Sequence, residues 1–137
     1  MFQQDQRLTE SSIFIADLEL CRLSLKNNKV YPWVVLVPRL DGIREIFELS
    51  TADQRKLVAE ISLAARMLSE LYQAKKINTA AYGNMVPQLH IHVFARFETD
   101  PAWPKPIWAV QTDEIPYTDV ESAAAISRMR DFLTRSA

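Results

Sequence analysis

The chain contains two histidines, His90 and His92, which stand two residues apart. In an extended strand alternate side chains share a face. Gln88, His90 and His92 therefore project together, while Leu89, Ile91 and Val93 project to the opposite, core side. Two imidazoles on one face allow two chemistries. A neutral imidazole is a good nucleophile near its ordinary pKa of about 6.5, and a covalent step splits one difficult displacement into two. The pair can instead present two nitrogens to a metal ion; Cys21 is remote, so Glu98 or Asp100 would then have to complete the ligand set. A third reading needs no chemistry, because the polar face of a half-buried strand has the same pattern.

Three further side chains could serve such a site. Arg96 lies four residues beyond His92, nominally on the same face, where it either meets a phosphate or ends the strand in solvent. Trp103 and Trp108 sit in the run Pro101-Ala102-Trp103-Pro104-Lys105-Pro106-Ile107-Trp108. They would stack on a base, close a partner subunit's pocket, or pack a connector onto the body.

The elements that position these residues are legible in outline. Ile13 and Ile15, then Leu18, Leu20, Leu23 and Leu25, predict a hairpin over 12–26 turning near Asp17 to Glu19. Asn27-Asn28-Lys29 is turn chemistry, and Trp33-Val34-Val35-Leu36-Val37, bracketed by Pro32 and Pro38, reads as a short buried strand. A helix is predicted over 51–75, capped by Ser50 or Thr51. Its apolar stripe is Leu57, Val58, Ile61, Ala64, Ala65, Leu68, Leu71 and Tyr72, with Arg55, Glu60, Ser62, Arg66, Ser69 and Glu70 opposite. Residues 77–84 and 88–97 read as strands. The proline-rich connector, about 101–118, is neither regular helix nor central strand. A final helix over 119–134 carries Ala123, Ile126, Met129, Phe132 and Leu133 on its apolar face, with Asp119 as its cap.

Composition narrows the class. At 137 residues, 48% hydrophobic and 24% charged, the chain fits a single soluble globular domain over 1–137. A net charge of -1 lacks the basic excess of a nucleic-acid binder, so no nucleic-acid polymer is expected as a partner. With two glycines there is neither a P-loop nor a G-x-G-x-x-G fingerprint. Cys21, flanked by leucines, reads as a buried thiol in a reducing cytoplasm. No signal core or membrane segment is evident, so no membrane partner is expected.

Gly83-Asn84-Met85-Val86-Pro87-Gln88-Leu89-His90-Ile91-His92-Val93 resembles the signature of the histidine triad (HIT) family. There a glycine and an amide residue precede, after a three-residue spacer, alternating histidines and apolar residues. Residues 32–39 are similar to the family's strand ending in Val-Pro-Lys/Arg, and the 51–75 helix falls where the family has its long helix. The resemblance covers about residues 10–100. It implies an α+β fold, an antiparallel sheet backed by a long helix, with a C-terminal helix beyond. It further implies a homodimer, for which the long helix and the 77–84 strand are the expected interface, and no cofactor or resident metal.

The activity implied is nucleotide phosphoramidase or nucleotidyl hydrolase/transferase chemistry on a small-molecule nucleotide, through a nucleotidyl-histidine intermediate. His90 matches the nucleophile and His92 the last triad position, which contacts phosphate oxygens. Asn84 matches the amide residue on the phosphate or leaving group, and Asn27 or Asn28 lies near the position that holds the ribose hydroxyls. Three positions depart from the pattern: Gln88 replaces the first histidine, Met85 replaces a Ser/Thr, and Trp33 replaces an upstream histidine. Gln88 is expected to bind substrate from this position, since glutamine hydrogen-bonds but carries no proton at neutral pH. A nucleotide-binding regulatory protein with weak or no catalysis is the alternative, and a metal-dependent hydrolase the third.

Overall fold

Alternation over residues 12–26 produces the hairpin of β1 (Ser12–Asp17) and β2 (Cys21–Lys26) in the computed structural model, which describes residues 1–137. The β-branched run that follows is β3 (Trp33–Pro38), every residue of which is buried. With β4 (Lys76–Ala80) and β5 (Ile91–Arg96) these form one antiparallel sheet in the order β1-β2-β3-β5-β4. Three helices complete the fold: α1 (Gln6–Glu10), α2 (Thr51–Tyr72) and α3 (Asp119–Arg135). The architecture is α+β, as expected.

Strand period two sends alternate residues to the two faces, and here both faces are covered. Leu23, Leu25, Val34, Leu36, Ile91 and Val93 meet α2 and α3 on one side. Trp33, Val35, Val37 and Phe94 pack on the other with Leu8, Tyr31 and Ile107. Leu89, Ile91 and Val93 thus lie in the core beneath the helices, and His92 lies on the opposite face. The connector closes that second face, which is why β3 has no polar side.

The helical predictions need correction in detail. Ser50 caps α2 by accepting from Asp53 N at 3.1 Å, but the helix stops at Tyr72 because Gln73 takes a left-handed backbone (φ 52). Its buried stripe is Leu57, Glu60, Ala64, Met67 and Leu68, the period of a single helix face. Val58, placed on the stripe by sequence, is 63% exposed. Glu60, placed on the polar side, is buried, and its carboxylate accepts from Leu20 N and Cys21 N at 2.8 Å each. Those amides lie where the β1–β2 turn enters β2, Cys21 being its first residue, and the carboxylate satisfies both. Thr118, not Asp119, caps α3, in a reciprocal pair of bonds with Glu121.

The strands around the histidines are shorter than predicted. β4 ends at Ala80 rather than 84, and β5 begins at Ile91 rather than 88. Gly83 turns the chain with φ 69, a left-handed conformation that side chains resist, and Pro87 has no N–H to donate. Residues 81–90 form an irregular loop. No helix is long and apolar enough to cross a membrane.

Candidate active site

Strand pairing places His92 first. It pairs with Val35 of β3 and Ala80 of β4, and Trp33 pairs with Phe94, so Trp33 and His92 are diagonal neighbours on one face. The Trp33 indole Nε1–H donates to His92 Nδ1 at 3.0 Å. An indole only donates, so His92 Nδ1 carries a lone pair, and the proton of the neutral ring sits on Nε2. Burial pushes His92 down to about 3, with the charges of His90 and Lys26 adding to it. The ring is neutral at physiological pH.

His90 has the opposite arrangement. Its Nδ1 lies 2.7 Å from the Gln88 carbonyl oxygen, which only accepts, so Nδ1 carries the proton. Neutral His90 therefore has its lone pair on Nε2. The two rings meet edge to face with centroids 5.0 Å apart. One ring offers a lone pair at Nε2, and the other a hydrogen-bond donor at Nε2.

Both imidazoles line a cavity of about 390 Å³ together with Tyr82, Asn84, Met85 and Trp108. Trp108 stacks edge-on against Tyr82, His92, Phe94 and Trp33, at centroid distances of 4.9, 5.3, 5.5 and 5.7 Å. It also borders a neighbouring cavity of about 400 Å³ that includes Asn28, Tyr31 and Trp33. On the other side of His90 a smaller hollow, about 200 Å³, is lined by Arg44, Phe47, Tyr82 and Gly83 among others. The loop bearing Arg44 is tied down by Glu48, whose carboxylate accepts from Arg44 N and Glu45 N at 3.0 and 2.8 Å.

The site thus assembles His90, His92 and Asn84, and leaves out two of the residues expected to bind substrate. The Gln88 side chain turns to the N-terminal segment, accepting from Asp5 N and donating to Gln3 O. The reason is local: Gln88 lies in the loop rather than on β5, so strand alternation does not govern it. Asn27 accepts from Tyr117 N at 2.9 Å and lines none of the three cavities described above. Its neighbour Asn28 accepts from Val30 N and Ile115 N and reaches the adjoining cavity.

Arg96 is neither a phosphate ligand nor a solvated strand end. It is 2% exposed and holds Asp100 through Nε and Nη2 at 2.8 and 3.1 Å, Asn78 at 2.8 Å and the Lys105 carbonyl at 2.7 Å. Burial alone would raise the Asp100 carboxyl; Arg96 and the amides of Phe97 and Trp103 outweigh it and hold the group below its ordinary value. Trp103 covers the Arg96 guanidinium at 5.7 Å, packing the connector onto the body. Asp100 and Glu98, which a metal reading required, are bound to Arg96 and Lys75 respectively. No cluster of three His, Cys, Asp or Glu side chains able to hold a metal ion occurs. Sequence reasoning noted Trp33 only as a departure from the family pattern, without its bond to His92, and missed Tyr82 as a site residue. The alignment of Trp33 with His92 depends on strand register, which only the pairing of β3 with β5 reveals.

A histidine pair at the start of a central strand, on a five-stranded sheet backed by a long helix, is the arrangement of the histidine triad class. Residues 7–99 match the HIT domain, and the chain belongs to the HIT family. A histidine triad protein from Marinobacter aquaeolei VT8 is 42% identical and superposes with a TM-score of 0.94, covering 100% of this chain and 99% of that one. A histidine triad (HIT) protein from Sinorhizobium meliloti 1021 is 41% identical, with a TM-score of 0.91 over 95% of this chain and 96% of that one. One from Bradyrhizobium japonicum is 39% identical, again with a TM-score of 0.91 and the same coverage. No curated protein matches the chain. Membership carries nucleotide binding, or hydrolase or transferase chemistry, as the class of activity.

Proposed function

We propose that the chain is a nucleotidyl hydrolase or phosphoramidase, with His90 as nucleophile toward the α-phosphorus of a purine nucleotide conjugate. The observation that carries this reading is the pair of opposite tautomers. In neutral His90 the lone pair is on Nε2, because Nδ1–H faces the Gln88 carbonyl, and beside it stands a neutral His92 whose Nε2–H is free to donate. A bond forms between His90 Nε2 and phosphorus as the bond to the leaving group breaks, and the leaving group departs with that electron pair and takes up a proton from solvent water. His92 donates to a phosphate oxygen as charge redistributes. Water then attacks the same phosphorus, the Nε2–phosphorus bond breaks with its electron pair returning to His90, and the water's proton passes to solvent, releasing the nucleoside monophosphate. Trp108 and Tyr82 supply aromatic surface for a base, and Asn84 a phosphate-facing amide.

The second reading, a nucleotide-binding regulatory protein, rests on the cavity wall. No lysine or arginine lines the histidine cavity, and Met85 offers no hydroxyl. Incubation with an adenosine phosphoramidate, with and without chelator, separates the readings. Chelator-resistant release of AMP, with an AMP adduct on His90 detected by mass spectrometry and lost in His90→Ala, supports the nucleophile. Binding without release supports the regulator, and chelator-sensitive turnover the metal-dependent hydrolase.

A second copy of the chain is the proposed partner, docked through α2 and the edge strand β4. That strand is only partly buried and has one free ladder side. A single species of monomer mass in light scattering at micromolar concentration would contradict it.

A further inference from the structure

We propose that Gln88 is a positioning residue for His90: its carboxamide clamps residues 3–7 to the 84–90 loop, and the clamp holds the Gln88 carbonyl where it fixes the His90 tautomer. Both polar atoms of the side chain are committed. Oε1 accepts from Asp5 N at 2.6 Å and Nε2 donates to Gln3 O at 3.0 Å. A carboxamide presents acceptor and donor at one end, so it binds the two peptide groups as a neighbouring strand would.

The same segment grips the loop a second time. Arg7 Nη1 donates to Met85 O at 3.1 Å, while Asp5 steadies the guanidinium through Nε and Nη2 at 3.1 and 3.0 Å. From the opposite side Leu89 N donates to Ile43 O at 2.9 Å. Between these ties the Gln88 carbonyl meets His90 Nδ1 at 2.7 Å. The loop has no ladder bonds of its own here, since β5 begins only at Ile91. The side chain of Gln88 thus acts on His90 through its own backbone.

The catalytic arm of the test rests on His90 being the nucleophile, whereas the spectroscopic arm stands on geometry alone. In the full chain, imidazole 15N spectra at neutral pH should show His90 as the Nδ1–H tautomer and His92 as the Nε2–H tautomer. Gln88→Ala should shift the His90 nitrogens toward tautomer-averaged values, leave those of His92 in place as a check on folding, and slow AMP transfer to His90 by about 10- to 100-fold. Asp5→Pro approaches from the other end. Asp5 has φ -54, which proline accepts, so the variant removes the N–H that Gln88 receives. Its excess effect over Asp5→Ala should reproduce the His90 shift. Wild-type His90 spectra in both Gln88→Ala and Asp5→Pro would overturn the proposal. Absent turnover in the wild type would defeat the enzymatic reading while leaving the spectroscopic result to decide this one.

Discussion

Trp33 and His92, diagonal across the β3–β5 ladder, are joined by a 3.0 Å bond from the indole N–H to Nδ1. A donor-only partner at Nδ1 leaves the His92 proton on Nε2, the one edge from which the ring can donate. The indole thus fixes the tautomer of a residue in the histidine cavity from the neighbouring strand.

Trp33→Phe keeps the aromatic bulk and deletes that donor. A typical net hydrogen bond is worth about 1 kcal/mol, so transfer of AMP to His90 should slow about 5- to 10-fold. Nucleotide affinity should change less than threefold. Rapid-quench measurement of the adduct beside equilibrium binding checks this, and equal losses in both would refute it.

Acid should destabilise the fold through His92. Its folded value is pushed down to about 3, by burial before the charges of His90 and Lys26, while the unfolded chain takes up the proton near about 6.5. Between those values the unfolded state binds more protons, so stability falls as pH drops through the window and this contribution levels off below it. The slope from this residue approaches about 1.4 kcal/mol per pH unit. Urea unfolding of wild type and His92→Asn at pH 6.5, 5.5 and 4.5 isolates it, and parallel pH dependences would count against it.

Asp100→Asn should cost about 3–5 kcal/mol, because it strips a buried arginine of its counter-charge. The carboxylate also accepts from Phe97 N, Ala102 N and Trp103 N, so the connector should loosen with it. Hydrogen exchange over residues 97–109, read with chemical denaturation, distinguishes this from a surface substitution, which would move stability by less than about 0.5 kcal/mol.

Glu60→Ala should destabilise by about 2–5 kcal/mol, since two buried amides lose a charged acceptor and a cavity opens beneath the turn. Cys21 should become measurably more reactive toward a thiol reagent in this variant. In the wild type, burial and then the neighbouring Glu60 carboxylate push that thiol well above its ordinary value, so it should stay inert until unfolding.

The class of fold and the histidine pair were legible because both are short-range patterns. The 33–37 run, the helical stripe through Leu57, Ala64 and Leu68, and the spacing of His90 and His92 each depend on a few neighbouring residues. What sequence misjudged depends on distant ones. Glu60 reads as solvent-facing until the β1–β2 turn supplies two amides above it. Arg96 reads as a strand-end cation until Asp100 folds back onto it. Gln88 reads as a face-mate of the histidines until Pro87 and Gly83 draw it off the strand. Asn27 reads as a ligand for sugar until the chain returns at Tyr117.

Gln88 meets Gln3 and Asp5 across 85 and 83 residues, and contacts that close such long loops form late in folding. The β1–β2 and β2–β3 pairings close over short turns and have no such delay. A refolding chain should therefore recover its β1–β2–β3 pairings and helix signals before its His90 environment is complete. The surroundings of His90 are completed last, so a partly folded chain carries both histidines without the hydrogen bonds that set their tautomers.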